Sequence, residues 1–133
     1  MILAKYVYPA IFTEDEDGYS VRFPDVDGCF TSGRSLQEAL EMAEDALCLM
    51  LYDMEESGEA IPVASGVNNV QTEPGEFVSL IGCDTLAYRK RYGSKAVKKT
   101  LSIPSWLNEA AEKAGVNFSN VLQDALKQQL HLG

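Results

Sequence analysis

The chain has 133 residues, 46% of them hydrophobic, and a formal charge of −9, enough apolar material for one packed domain or two small ones. No stretch approaches the roughly 18 consecutive apolar residues of a membrane-spanning helix, and the opening MILAKYVYPAIF carries Lys5 and Pro9 where a secretory leader needs an unbroken apolar run. A cytoplasmic, globular protein away from the membrane is therefore expected.

In chain order, residues 2–12 and 19–24 are rich in Tyr, Val, Ile and Phe and flank EDEDG, where Gly18 can supply a positive φ. They predict a β-hairpin. Residues 28–33, GCFTSG, follow the turn signal Asp27-Gly28 and predict a third strand. Ser35-Leu-Gln-Glu38 is a capping box that opens a helix, whose stripe is Leu36, Ala39, Leu40, Ala43, Leu47, Met50 and Met54 and whose stop is Gly58. A loop over 62–75, marked by Pro62, Gly66, Asn68, Asn69, Pro74 and Gly75, leads to a fourth strand, Glu76 to Gly82. This gives a β-β-β-α-β module, with the polar YRKRYGSK of 88–95 as a hinge to a second module.

In the second module Val97, Leu101 and Ile103 fall on one face of a short strand, and Lys98, Thr100 and Ser102 on the other. Pro104 ends the strand and leads into a helix with the stripe Trp106, Leu107, Ala110, Ala111 and Ala114, stopped by Gly115. Asn117 caps a last helix with the stripe Phe118, Val121, Leu122, Ala125, Leu126 and Leu130. About forty such residues remove too little surface from water to offset chain entropy. A second copy must complete the core, with Val97, Leu101, Ile103, Trp106, Val121 and Leu122 as its dimer contacts.

Charge divides along the same line. Residues 1–93 carry six Lys or Arg against seventeen Asp or Glu, net −11, and residues 94–133 carry five against three, net +2. The acidic part suits a basic protein or, on the plainer reading that charge alone favours, only keeps the chain soluble, and nucleic acid, if held, belongs to the C-terminal part.

Strand, two short helices and obligate pairing, in KKTLSIPSWLNEAAEKAGVNFSNVLQDAL (98–126), resemble the ribbon-helix-helix DNA-binding domain of bacterial repressors. That resemblance implies base reading by Lys98, Thr100 and Ser102 from a two-stranded ribbon in the major groove, and a phosphate held by the amides of Phe118 and Ser119. Ser102 is short for this role. The N-terminal module is similar to the HicB antitoxin family through FPDVDGCFTSGRSLQEAL (23–40). The likeness spans residues 1 to about 84, and some members end in a ribbon-helix-helix domain. It implies an α+β chain made of a partial ribonuclease-H-like toxin-binding domain (1–88) and a DNA-binding, dimerising domain (94–133). It further implies neutralisation of a HicA-type mRNA-cleaving toxin and repression of the protein's own operon at operator DNA, by a homodimer with room for a higher oligomer.

Other motifs have plainer readings. EDED (14–17) reads as a solvated hairpin tip ahead of an electrostatic lure for a basic toxin surface, Asp25 and Asp27 as turn residues ahead of paired acids for metal chemistry, and Trp106 as a core or dimer residue ahead of a ring stacked on a base. RKR (89–91) fits either a DNA-backbone contact or a solubilised hinge. Cys29, Cys48 and Cys83 lack C-x-x-C spacing and His131 is the single histidine, so free thiols are expected, with no structural zinc and no cofactor. A two-metal nuclease would need carboxylates on the first strand, the helix and the fourth strand. LAKYVYPAIF has none, which leaves Glu38, Glu41 and Asp84 an incomplete set, and no enzyme is expected. A repressor sensing a small ligand is the remaining alternative.

Overall fold

The computed structural model describes residues 5–132 and divides into two compact units, Met1–Lys95 and Ala96–Gly133. Residues 2–4 of the expected first strand lie outside the described residues. The first unit contains β1 (Lys5–Asp15), β2 (Gly18–Arg22), β3 (Phe30–Gly33), α1 (Leu36–Ser57), β4 (Glu76–Asp84) and α2 (Thr85–Tyr92). Its sheet has the order β3-β2-β1-β4 with all neighbours antiparallel. The loop before β4 contains a short 3₁₀ turn, Val67–Asn69.

Pro9 lies inside a strand flanked on both sides, a position that normally excludes proline. Here β1 pairs with β2 only over Ile11–Asp15 but with β4 over Lys5–Thr13. Pro9 thus sits where one side of β1 has no partner, the edge-like setting in which a strand tolerates proline.

The core forms between one face of the sheet and α1: Tyr8, Ala10 and Phe12 of β1, Val21 of β2 and Ile81 of β4 against Ala39, Ala43, Leu47 and Leu51. Burying Leu47 and Leu51 stabilises the unit by roughly 1.5–3 kcal/mol each. Two members of the expected helical stripe are misplaced: Leu36 and Leu40 are exposed, whereas Leu51, absent from that stripe, is fully buried. The face in contact with the sheet steps by four residues from Ala39, and its N-terminal end is small because β3 comes very close. A Cβ at Gly33 would stand 2.4 Å from the Ala39 amide nitrogen. The helix starts as its capping sequence requires, with Ser35 Oγ accepting from the Glu38 amide at 3.1 Å. It ends at Gly58, whose φ of +72° is a left-handed conformation.

The hinge expected over 88–95 is a helix for more than half its length. Asp84 accepts from the Ala87 amide at 3.0 Å to cap α2, and Arg89, Lys90 and Arg91 occupy its last turn, where cations favour the helix dipole. Tyr88 contacts Tyr52 of α1 with ring centroids 5.1 Å apart, and Tyr92 continues the stack at 4.6 Å. Glu55, almost buried on α1, accepts from Tyr6 (2.7 Å), Thr85 (3.0 Å) and Arg89 (3.0 Å), so one carboxylate ties together β1, α1 and α2. Arg89 also pairs with Glu56 and lies over the Tyr52 ring. Its intramolecular partners make Arg89 a structural tie between α1 and α2.

In the second unit α3 (Ser105–Lys113) is followed by α4 (Phe118–Gln129). The Pro104 carbonyl accepts the first bonds of α3, Gly115 at φ +70° closes it, and Asn117 caps α4 by accepting from the Asn120 amide at 3.1 Å. Residues 94–104, which include the expected strand 97–103, have neither helix nor strand in the single chain. A strand exists only as half of a hydrogen-bonded pair, and a lone copy offers this segment no second half.

Candidate functional site

Two kinds of surface stand out among the described residues, one on each unit. In the second unit no described residue is buried. Of the expected dimer contacts, Val97 is 90% exposed, Trp106 69%, Leu101 56%, and Ile103 and Val121 are also exposed, while Leu122 is half-buried. Leu107, Phe118, Leu126 and Leu130 extend the same apolar surface. Isolated apolar residues on a surface are ordinary, but two amphipathic helices that both leave their apolar stripes in water are not. The candidate DNA-facing residues Lys98, Thr100, Ser102 and Ser119 are exposed, and Phe118 is exposed beside Ser119 at the start of α4. The first-turn amides of α4 point out of the helix end, as the geometry of any helix N-terminus requires. Lys95 and Lys99 add two exposed cations to the segment that carries Lys98, a run of charge missed when only one face of the strand is considered.

The first unit has a second apolar surface, on the side of its sheet away from α1. Cross-strand pairing places Pro9 beside Leu80, Ile11 beside Val78 and Arg22, and Arg22 beside Phe30. Pro9 and Ile11 are buried at the centre, whereas Val7, Leu80 and Phe30 are exposed around them. The signal for this face was present in KYVYPAIF, where apolar residues occupy both parities; a strand with one wet face would alternate.

At the edge of that face Glu76 accepts from Arg22 (2.6 and 3.3 Å), Thr13 (3.2 Å) and the Glu73 amide (2.8 Å). The Arg22 guanidinium foremost, with these other donors, holds the Glu76 carboxyl down at about 2. Because the folded value is depressed, the stabilisation is present above the ordinary carboxylate range and is lost as pH falls through about 2. In Arg22→Ala, NMR titration of the Glu76 side chain should show its pKa rising toward 4.5, the ordinary carboxylate value. A midpoint that stays near 2 would mean that Arg22 is not the cause.

The acidic residues of the first unit are dispersed. Asp25 accepts from the Ser65 amide (2.8 Å) and hydroxyl (2.6 Å) and so fastens the 23–29 turn to the long loop, as a turn residue should. Asp15 accepts from the Asp17 amide within the exposed hairpin tip. Glu38 accepts from the Arg34 amide, Glu41 from Gln37, and Asp84 caps α2. Among the described residues no group of three His, Cys, Asp or Glu side chains is placed to hold a metal ion, and no helix is long and apolar enough to cross a membrane.

Comparison with known proteins bears on what these surfaces serve. Residues 8–125 match the family model described as HicB-like antitoxin of bacterial toxin–antitoxin systems. An uncharacterised 14.9 kDa protein from the rep–hol intergenic region of Haemophilus phage HP1 is 30% identical over 101 residues, covering 76% of this chain and 75% of its own length. Among solved structures, a chain of a toxin–antitoxin complex from Streptococcus pneumoniae superimposes with a TM-score of 0.60 and 29% identity, covering 94% of this chain and 99% of that one. A chain of a HicA3–HicB3 toxin–antitoxin complex shares the fold, with a TM-score of 0.51 and 22% identity over 59% of this chain and 99% of that one.

Proposed function

The chain belongs to the HicB-like antitoxin family of bacterial toxin–antitoxin systems, and from that premise we propose that its first unit binds and neutralises a HicA-type mRNA-cleaving toxin while its second unit pairs with another copy and holds operator DNA. The observation that carries this reading is the division of charge and apolar surface between the units. Residues 1–93 have a net charge of −11, and a protein that grips and cuts RNA needs a basic face to meet the phosphates. Opposite charge speeds the encounter of two such surfaces and suppresses wrong partners. An acidic unit seated on the toxin's basic face would occupy the place that RNA needs.

The second unit is read as a ribbon-helix-helix domain. Its two capped helices, its exposed apolar stripes and the unpaired segment before them are what one half of an intertwined dimer leaves uncovered when alone. We read the first unit as a partial ribonuclease-H-like fold on its β-β-β-α-β order, used as a binding scaffold and without catalysis. The toxin-binding domain is drawn to residue 95, since a boundary at 88 would cut α2 and remove Arg89 from Glu55.

The reading is tested by mixing the purified full chain with a HicA-type toxin from the same genome and measuring association by stopped-flow and size-exclusion chromatography. A stable complex should form, and its association rate should fall as salt rises from low to physiological strength. Failure to form a complex at either salt would refute the toxin assignment. A complex whose formation ignores salt would refute the electrostatic part of it.

A further inference from the structure

The sheet face turned away from α1 is graded from apolar to acidic. Register sets one row straight across its four strands, Phe30, Arg22, Ile11 and Val78. The next row toward the β1–β2 hairpin is polar: Ser32, Ser20, Thr13 and Glu76. At the usual strand spacing of about 4.8 Å each row spans roughly 14 Å. On the other side of the first row Leu80 pairs with Pro9, and Val7 follows on β1. Phe30, 74% exposed, Leu80 and Val7 stand in solvent around the buried Pro9 and Ile11.

A groove of about 420 Å³ opens on this face, lined by Ile11, Thr13, Ser20, Arg22, Phe30 and Ser32. Ser20 and Ser32 also line a second cleft of about 220 Å³ at the hairpin end, where the carboxylates of Asp15, Asp17 and Glu38 face one guanidinium, Arg34. Within the groove the Arg22 charge is taken up by Glu76 at 2.6 Å. This end of the sheet is therefore net negative. An apolar seat that continues into a negative cleft complements a cationic surface with an apolar centre. It disfavours a second copy of the same unit, because residues 1–93 carry a net charge of −11.

We propose that this face, from Phe30 across to Leu80 with the cleft of Asp15, Asp17 and Glu38 beside it, is where the first unit seats the basic toxin. The inference rests on the toxin-binding reading above and assigns its surface. Apolar side chains of the toxin cover Phe30, Val78 and Leu80, and its cations enter the acidic cleft. The two parts act on different rates: charges at a rim speed association, and desolvated anchors slow dissociation. Helix α1 also exposes apolar residues, but Leu36 and Leu40 follow one line of the helix and Met42 and Leu49 another, so they form no single patch.

The test is the binding kinetics of the full chain with a HicA-type toxin from the same genome. Phe30→Ala should raise the dissociation constant roughly tenfold or more, and Leu80→Ala should act in the same direction, both through faster dissociation. Asp17→Lys should slow association at low salt and matter little at high salt. Leu49→Ala, which truncates an α1 side chain as exposed as Leu80 (55% each), should change nothing. Hydroxyl-radical footprinting of the wild type decides even where a variant misfolds: Phe30 and Leu80 should lose reactivity when toxin is added, and Leu49 should keep it. A wild type that binds no toxin overturns the toxin reading and this inference together. A wild type that binds while Phe30 and Leu80 stay reactive, or whose two Ala variants bind as tightly, overturns this inference alone. Protection of Phe30 and Leu80 that rises with antitoxin concentration in the absence of toxin would give the face to a second copy and overturn it as well.

Discussion

Replacing Leu101 or Leu122 by Ala should abolish the dimer while leaving the first unit folded. In the single chain Leu101 is exposed and Leu122 only half-buried, so truncating either should disturb little within one copy. In the proposed dimer both would be core positions, where shortening Leu to Ala costs about 2–5 kcal/mol. Each 1.4 kcal/mol is roughly a tenfold change in dissociation constant, and both copies carry the change. Sedimentation equilibrium should show monomer at concentrations where the wild type is dimeric, with far-UV circular dichroism retaining the signal of the first unit. A Leu122→Ala protein that dimerises as tightly as wild type, or residues 1–95 doing so alone, would remove the second unit from the interface.

The second large effect concerns DNA. Lys98, Thr100 and Ser102 share a parity opposite to that of Val97, Leu101 and Ile103, so a paired ribbon that buries the latter presents the former, twice over, to the major groove. If Lys98 reads a base, Lys98→Ala should lose on the order of 1–3 kcal/mol on the operator and relax preference at one position per half-site, with little change on unrelated DNA. If it neutralises a phosphate, affinity should fall about equally on both duplexes and the salt slope should drop by roughly one per contact. The expected result is the first. Fluorescence anisotropy on operator and scrambled duplexes across several salt concentrations separates the two, and unchanged binding to both at every salt would sink the ribbon reading. The body's acidity sharpens the comparison, because only a correctly placed basic segment can hold DNA beside residues 1–93, whose net charge is −11.

How much of this was legible in the residues depended on whether the signal was local. Helix α1 was readable from Ser35, Glu38 and Gly58, and α4 from Asn117, because caps are local chemistry between neighbours in sequence. Helix α2 was not. Its apolar contacts come from Tyr88 and Tyr92 among basic residues, and what docks it, Tyr52, Glu55 and Glu56, lies about 34 residues away on α1; Asp84 before it was a usable capping signal that went unread. Leu51 was missed because the sheet selects one line of a broad apolar helix face, and that choice is tertiary. The segment 97–103 has the parity of a strand but forms none in the single chain, because parity fixes which face a strand would bury and not whether a partner strand is present. The candidate surface residues divide the same way: Lys98 and Leu101 follow from parity, while Leu80 and Phe30 join Val7 on the open sheet face only through register.

The central claim is that the acidic first unit shields RNA from a toxin, and the most direct measurement is the rate at which a HicA-type toxin cleaves RNA as the antitoxin is titrated in. Both the full chain and residues 1–95 should stop cleavage at stoichiometric amounts, while neither cuts RNA itself with or without a divalent cation. Cleavage that continues in the presence of excess full chain, or RNA cut by the antitoxin alone, would contradict the account.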